Sequence, residues 1–142
     1  MVSITSAKII ELQAGKKIEL PPDFIEALST EEAEHALAIF SPSSRMIRII
    51  PTKSEEVYKV SIEIGELTPD FLQKMGSIFM KHRLKTAYST GICYHADICV
   101  YEGYIAGSEL KNVSIDILKD ELGEIEGVTN VTVEVLVLPK VG

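Results

Sequence analysis

Hydrophobic and polar positions divide the chain into two stretches of different character. Between residues 57 and 64, VYKVSIEI alternates apolar and polar side chains, the period-two signal of a strand with one buried face. Gly65-Glu66-Leu67-Thr68 interrupts it. Thr68 followed by Pro69 has the form of a helix start, a hydroxyl N-cap with proline in the first turn. Phe71, Leu72, Met75, Ile78 and Phe79 then recur at helical spacing. Lys81, His82, Arg83 and Lys85 gather where that helix ends and complement its dipole, so His82 is expected at the surface. Aromatic and β-branched residues predict strands near 86–93 and 98–105, joined by the polar step Tyr94-His95-Ala96-Asp97 and stopped by Gly107-Ser108. A second helical stripe runs through Ile115, Leu118, Leu122 and Ile125, with Gly127 suited to its C-terminal cap. The acidic run from Asp120 to Glu126 is expected on that helix's solvated face. The β-branched run from Val128 to Leu138 ends at Pro139. The predicted order is βαββαβ. Each helix has one apolar stripe, so both should cover one face of a four-stranded sheet, an α+β sandwich.

The first 53 residues read differently. Short strands at 7–12 and 17–20 flank a turn, Gln13-Ala14-Gly15-Lys16, in which Gly15 is free to take a positive φ. Pro21 and Pro22 close the second strand and lead into a short helix, DFIEAL at 23–28. A polar stretch at 29–34 precedes strands at 35–40 and 45–50, joined by Ser41-Pro42-Ser43-Ser44; His35, opening the first, is expected at the surface or an interface. Four short strands and one short helix bury too little apolar surface to stand alone. Pairing with a second copy would solve that problem, so a homodimer or larger assembly is expected. The polar segment Lys53-Ser54-Glu55-Glu56 marks the boundary between the two parts.

Both parts resemble known families. The order from Lys8 to Leu28, strand, Gly-Lys turn, strand, proline and short helix, resembles the AbrB/SpoVT type of swapped-hairpin DNA-binding module, and the hairpin from Phe40 to Pro51 fits its second half. That resemblance implies dimerisation and DNA contact by residues 1–53, through Lys8, Lys16 and Lys17, with Arg45 and Arg48 extending the positive strip along one face. The helix at 22–28 carries Asp23 and Glu26 and no basic residue, unlike that family. Six lysines per dimer imply a log–log salt slope of about −5. Residues 55–142 resemble the ACT domain, a ferredoxin-like ligand-sensing sandwich. The resemblance rests on the strand followed by Gly65 to Leu72, in which Pro69 and Leu72 match the family's pattern. It implies a small-molecule site, such as one for an amino acid, at Gly65, Glu66, Leu67, Thr68, Pro69 and Asp70. Asp70 stands where the family has glycine, and its charge would oppose a carboxylate.

Composition adds limits. The 142 residues are 46 % hydrophobic and 25 % charged, a globular profile. No apolar run approaches the ~20 residues of a bilayer span, and the N-terminus lacks a signal-peptide pattern, so no membrane partner is expected. Cys93 and Cys99 do not amount to a disulfide framework, which makes a reducing cytoplasm the expected location. The net charge of −7 argues against a protein that simply coats nucleic acid. Residues 1–53 hold six basic groups against seven acidic ones, a balance of −1, which leaves −6 for residues 54–142.

Candidate chemistry is sparse. No phosphate-binding loop, dinucleotide fingerprint, HExxH or GxSxG is present, so neither an enzyme nor a cofactor is expected. Cys93, His95, Asp97 and Cys99 would share one face of a continuous strand and could then hold zinc or a softer metal. The competing reading, which we adopt, has them spanning a hairpin turn, the cysteines as small buried hydrophobes and no metal. The expected function is a ligand-responsive transcriptional regulator. The alternative is a regulatory or scaffolding subunit that binds another protein and never touches DNA.

Overall fold

The turn expected at residues 13–16 forms, but the strands on either side of it do not. The computed structural model describes residues 5–29 and 33–139, and the chain divides into two units, Met1–Pro51 and Thr52–Gly142. In the first unit Gly15 takes φ +80°, and the Lys16 amide donates to the Gln13 carbonyl at 3.2 Å. Residues 5–12 and 17–21 have no ladder partner among the described residues. A two-stranded hairpin gains stability only when its apolar side chains have something to pack against, and none of the apolar side chains at 5–12 and 17–20 is buried among the described residues.

Pro22 does open a helix, α1 (Pro22–Leu28), whose first amides, of Phe24 and Ile25, donate to the Pro21 carbonyl. It buries no side chain. β1 (His35–Ser41) and β2 (Met46–Thr52) form a two-stranded sheet. Arg45 belongs to the turn between them, at φ +53°, and not to the strand, so it does not share a strand face with Arg48. Leu37 and Ile39 are the unit's buried apolar residues among those described. The polar stretch expected at 29–34 lies partly outside the described residues.

The second unit follows the predicted order. β3 (Glu56–Ile64) leads to α2 (Pro69–Lys81), β4 (Tyr88–His95), β5 (Ile98–Ala106), a 3₁₀ turn at Gly107–Glu109, α3 (Ile115–Gly123) and β6 (Val128–Val137). The four-stranded sheet has the order β4-β5-β3-β6, with every neighbouring pair antiparallel. Alternation on β3 sorts Val60, Ile62 and Ile64 to one face and Lys59, Ser61 and Glu63 to the other. The first set meets Phe71 and Met75 of α2, Leu118 and Leu122 of α3, and Tyr101, Ile105 and Val131 of the flanking strands in one core. The opposite face is bound by cross-strand chemistry: Lys59 lies 3.1 Å from Glu102 and over the Tyr104 ring. No helix among the described residues is long and apolar enough to cross a membrane.

Helix ends follow local chemistry. Thr68 Oγ1 accepts the Phe71 amide at 3.1 Å, as its position before Pro69 predicts. Ser114 does the same for α3, accepting the Ile117 amide at 3.2 Å, a cap the apolar stripe alone does not reveal. Gly127 is not the α3 cap. The helix ends at Gly123, and Gly127, at φ +93°, turns the chain into β6.

Two substitutions should separate packing from capping. Leu118 is fully buried, so Leu118→Ala should cost about 2–5 kcal/mol in chemical denaturation. Thr68→Ala should cost about 1 kcal/mol in the same measurement, with the denaturant slope unchanged.

Candidate functional site

A groove of about 450 Å³ lies at the end of the sheet where β3 stops and β5 and β6 begin. Its lining includes Glu63, Gly65, Tyr94, Asp97, Ile98 and Thr129. Two irregularities in the ladders build it. Glu63 pairs with Asn130 and Ile64 with Val128, which leaves Thr129 over; Cys93 pairs with Cys99 and His95 with Ile98, which leaves Tyr94 over. An extra residue in one strand bends it and re-aims a side chain. Both leftover residues line the groove. Thr129 Oγ1 also donates to the Glu63 carbonyl at 3.1 Å, which fixes the bulge.

The groove's chemistry is acidic on an apolar floor. Glu63 and Asp97 supply carboxylates, Tyr94 and Thr129 hydroxyls, and Ile64, Ile98 and Val100 apolar walls. None of its lining residues is a lysine, arginine or histidine. That donor set suits a ligand bearing an ammonium group and a short apolar portion. A larger hollow of about 520 Å³, beside Lys119, Asp120, Glu124 and Asn130, runs along α3 and the start of β6. It meets no part of the loop expected to bind a ligand, so the first groove is the better candidate.

Of the six loop residues expected to bind, only Gly65 reaches the groove. Its amide is taken by the Gly127 carbonyl at 3.1 Å. Thr68 is occupied as a cap and Pro69 has no N–H, so of the first three α2 residues Asp70 has the amide left for an anion. The Asp70 carboxylate is paired with Lys74 at 3.1 Å, which moderates the repulsion its charge implies. Leu67 turns onto β4: its Cδ2 lies 3.2 Å from the position a Cβ on Gly91 would take. Glu66 does not line the groove. Glu63, Tyr94 and Thr129 escape sequence reasoning because bulges, not motif spacing, bring them together.

Cys93 and Cys99 require a correction. They face each other across β4 and β5 and are joined as a disulfide, with Cα atoms 4.0 Å apart. Only Cys99 is buried; Cys93, His95 and Asp97 are exposed. The hairpin turn at Ala96-Asp97 prevents the continuous strand on which all four residues would share a face. No group of three or more metal-ligating side chains occurs among the described residues.

The basic residues of the first unit are only partly available to phosphate. Lys8 Nζ bonds Asp23 Oδ1 at 2.8 Å and stands over the Phe24 ring. That bond, ahead of all other influences, holds the Asp23 carboxyl below its usual range. Lys17 shares a shallow cleft with Glu11 and Glu19, while Lys16 lies at the exposed turn. Arg45 is exposed in the β1–β2 turn, and Arg48 is half-buried on β2.

His82 is not a surface residue. Its side chain, at the end of α2, is 11 % exposed, and Nε2 lies 2.9 Å from Glu121 Oε2 on α3. Lys81 Nζ reaches the other Glu121 oxygen at 3.1 Å. Glu121 therefore belongs to a clasp between the helices, unlike the solvated acidic face expected for residues 120–126. The His82 bond, then the Lys81 bond, lower the Glu121 pKa. A depressed carboxylate pKa contributes stability that is present above the unfolded value and lost as pH falls through the folded one. Melting temperatures should therefore favour wild type over Glu121→Gln at neutral pH, and the difference should vanish in acid below the ordinary glutamate range.

No protein-family model matches the chain, and no curated protein matches it. Among solved structures, the uncharacterized protein TM1266 from Thermotoga maritima is similar over 60 % of this chain and all of its own length, at 16 % identity and a TM-score of 0.38.

Proposed function

We propose that the protein is a homodimeric, ligand-responsive regulator. In this reading Thr52–Gly142 is a ferredoxin-like sandwich of the ACT type that takes a small amine-bearing molecule, such as an amino acid, in the groove at Glu63, Gly65, Tyr94, Asp97 and Thr129. Support for the sandwich comes from the βαββαβ order, the β4-β5-β3-β6 sheet and the shared helical face. Met1–Pro51 is the dimerisation arm, with its lysine turn directed at duplex DNA. The observation that carries the reading is the exposure of Ile9, Leu12, Ile18, Phe40 and Ile47 in a unit with so small an interior. A second copy of the same arm, exchanging hairpins, would cover these side chains and supply the missing strand partners. Ligand and DNA would then be coupled only through an arrangement of the dimer that both prefer.

One observation favours the second reading, a scaffold that binds protein. Lys8 is paired with Asp23, and Lys17 shares its cleft with two glutamates. With Lys8 engaged, a dimer presents four lysines, so the salt slope for duplex binding should be about −4 rather than about −5.

Light scattering and fluorescence anisotropy on the full chain test both readings. The expected results are a dimer or larger species at micromolar concentration, and duplex binding at low salt that Lys16→Glu with Lys17→Glu abolishes without dissociating the dimer. A dimer that ignores DNA even at low salt selects the scaffold, and a monomer removes the swapped-hairpin regulator. For the groove, an amino acid that raises the melting temperature of wild type should do so less for Asp97→Asn.

A further inference from the structure

The Cys93–Cys99 bond sits at the one point of the second unit where a covalent link and a candidate binding groove meet. From Tyr88 to Ile92 the β4–β5 ladder is regular, so the hairpin itself is held by backbone pairing. Beyond Cys93 the register slips, and Tyr94 to Ile98 are all exposed. The tip is thus held by one irregular pair, His95 with Ile98, and by the disulfide. Because the cysteines are only six positions apart, the crosslink closes a short loop and restricts the unfolded chain less than a long-range bond would. Its main effect is local.

That local effect reaches the groove. Tyr94, Asp97, Ile98 and Cys99 line it, and the Asp97 carbonyl lies 3.8 Å from where a Cβ on Gly65 would stand. The tip and the turn after β3 therefore face each other across the groove. The two cysteines also differ in access: Cys93 is exposed, whereas Cys99 is 1 % exposed within the core. A thiolate from solvent can approach the Cys93 side and not the Cys99 side.

We propose that Cys93 and Cys99 form a reversible thiol–disulfide couple that sets how firmly the β4–β5 tip walls the groove. A dithiol reductant attacks Cys93 Sγ. The Cys93–Cys99 bond breaks, and Cys99 leaves as a thiolate that takes up a proton. The reductant's second thiol then displaces Cys93, which leaves and is protonated in turn. Two electrons and two protons pass to the protein, and the reductant departs as its own disulfide. Oxidised, the tip is pinned beside Gly65. Reduced, Tyr94 to Ile98 rest on one irregular pair, and the groove loses a fixed wall. The couple depends neither on DNA binding nor on the identity of any ligand.

The test uses the full chain purified without reductant. Thiol counting in denaturant should find none, then two per chain after dithiothreitol acts on the folded protein, and none again after glutathione disulfide. Amide hydrogen exchange at 94–98 and at Gly65 should be about tenfold faster in the reduced form, with Val60 to Ile62 unchanged. Cys93→Ala should match the reduced pattern whether or not dithiothreitol is present. If that variant loses protection throughout, the reduced wild type supplies the comparison. Two free thiols in the untreated protein would overturn the proposal. So would a bond that dithiothreitol reduces only on unfolding, or equal exchange at the tip in both states. None of these results bears on the dimer or on DNA, so failure here and failure of the regulator reading are separately visible.

Discussion

The second unit depends on the burial of one strand. β3 is the only strand of its sheet with a neighbour on each side that is itself tied to the helices' core, β5 on one edge and β6 on the other. Ile62, two residues from its end, is fully buried, paired with Tyr101 on one side and Val131 on the other. A one-residue slip in either ladder would carry Val60, Ile62 and Ile64 to the face that holds Lys59 and Glu63. The apolar stripes of α2 and α3 forbid that slip, because Phe71, Met75, Leu118 and Leu122 need those side chains beneath them. Helix packing and strand register thus enforce each other.

The same constraint relaxes at the end of β3, and the groove forms there. Past Ile62 the ladder to β6 slips around Thr129, and the next amide, of Gly65, bonds outside the ladder to Gly127. On the other side the β4–β5 hairpin slips around Tyr94. A bulge costs a ladder bond and yields a side chain aimed away from the regular faces. Here two such side chains converge with Glu63 and Asp97. The disulfide lies between the regular ladder and the irregular tip, so covalent restraint begins where backbone pairing gives out.

The first unit lacks any comparable interior. Its two buried residues among those described, Leu37 and Ile39, lie on one strand of a two-stranded sheet, and its helix buries none. The turn at Gly15 is well defined by its own chemistry, yet the flanking segments form no ladder and are largely exposed. Local preference makes a turn, but a ladder needs a partner surface to bury apolar side chains. For this reason the proposal for residues 1–51 rests on what they leave uncovered, whereas that for the second unit rests on what it encloses.

Much of the second unit was legible in the residues themselves. The alternation at 57–64, the Thr68-Pro69 start, and the stripes through Phe71 and Met75 and through Leu118 and Leu122 each encode an element locally, because period and capping are properties of a short segment. The turn at Gly15 was legible for the same reason. What only the tertiary structure decided are relations between segments distant in the chain: the bond from His82 to Glu121, the contact of Gly65 with Gly127, and the convergence of Tyr94 and Thr129 on one groove. The cysteines stand between these cases. Their spacing suits a hairpin, but whether they pair depends on the register of β4 against β5, which β5 inherits from its packing on β3. Register is a property of the assembled sheet, so residues that bulges and ladders bring together carry no signature in a linear sequence.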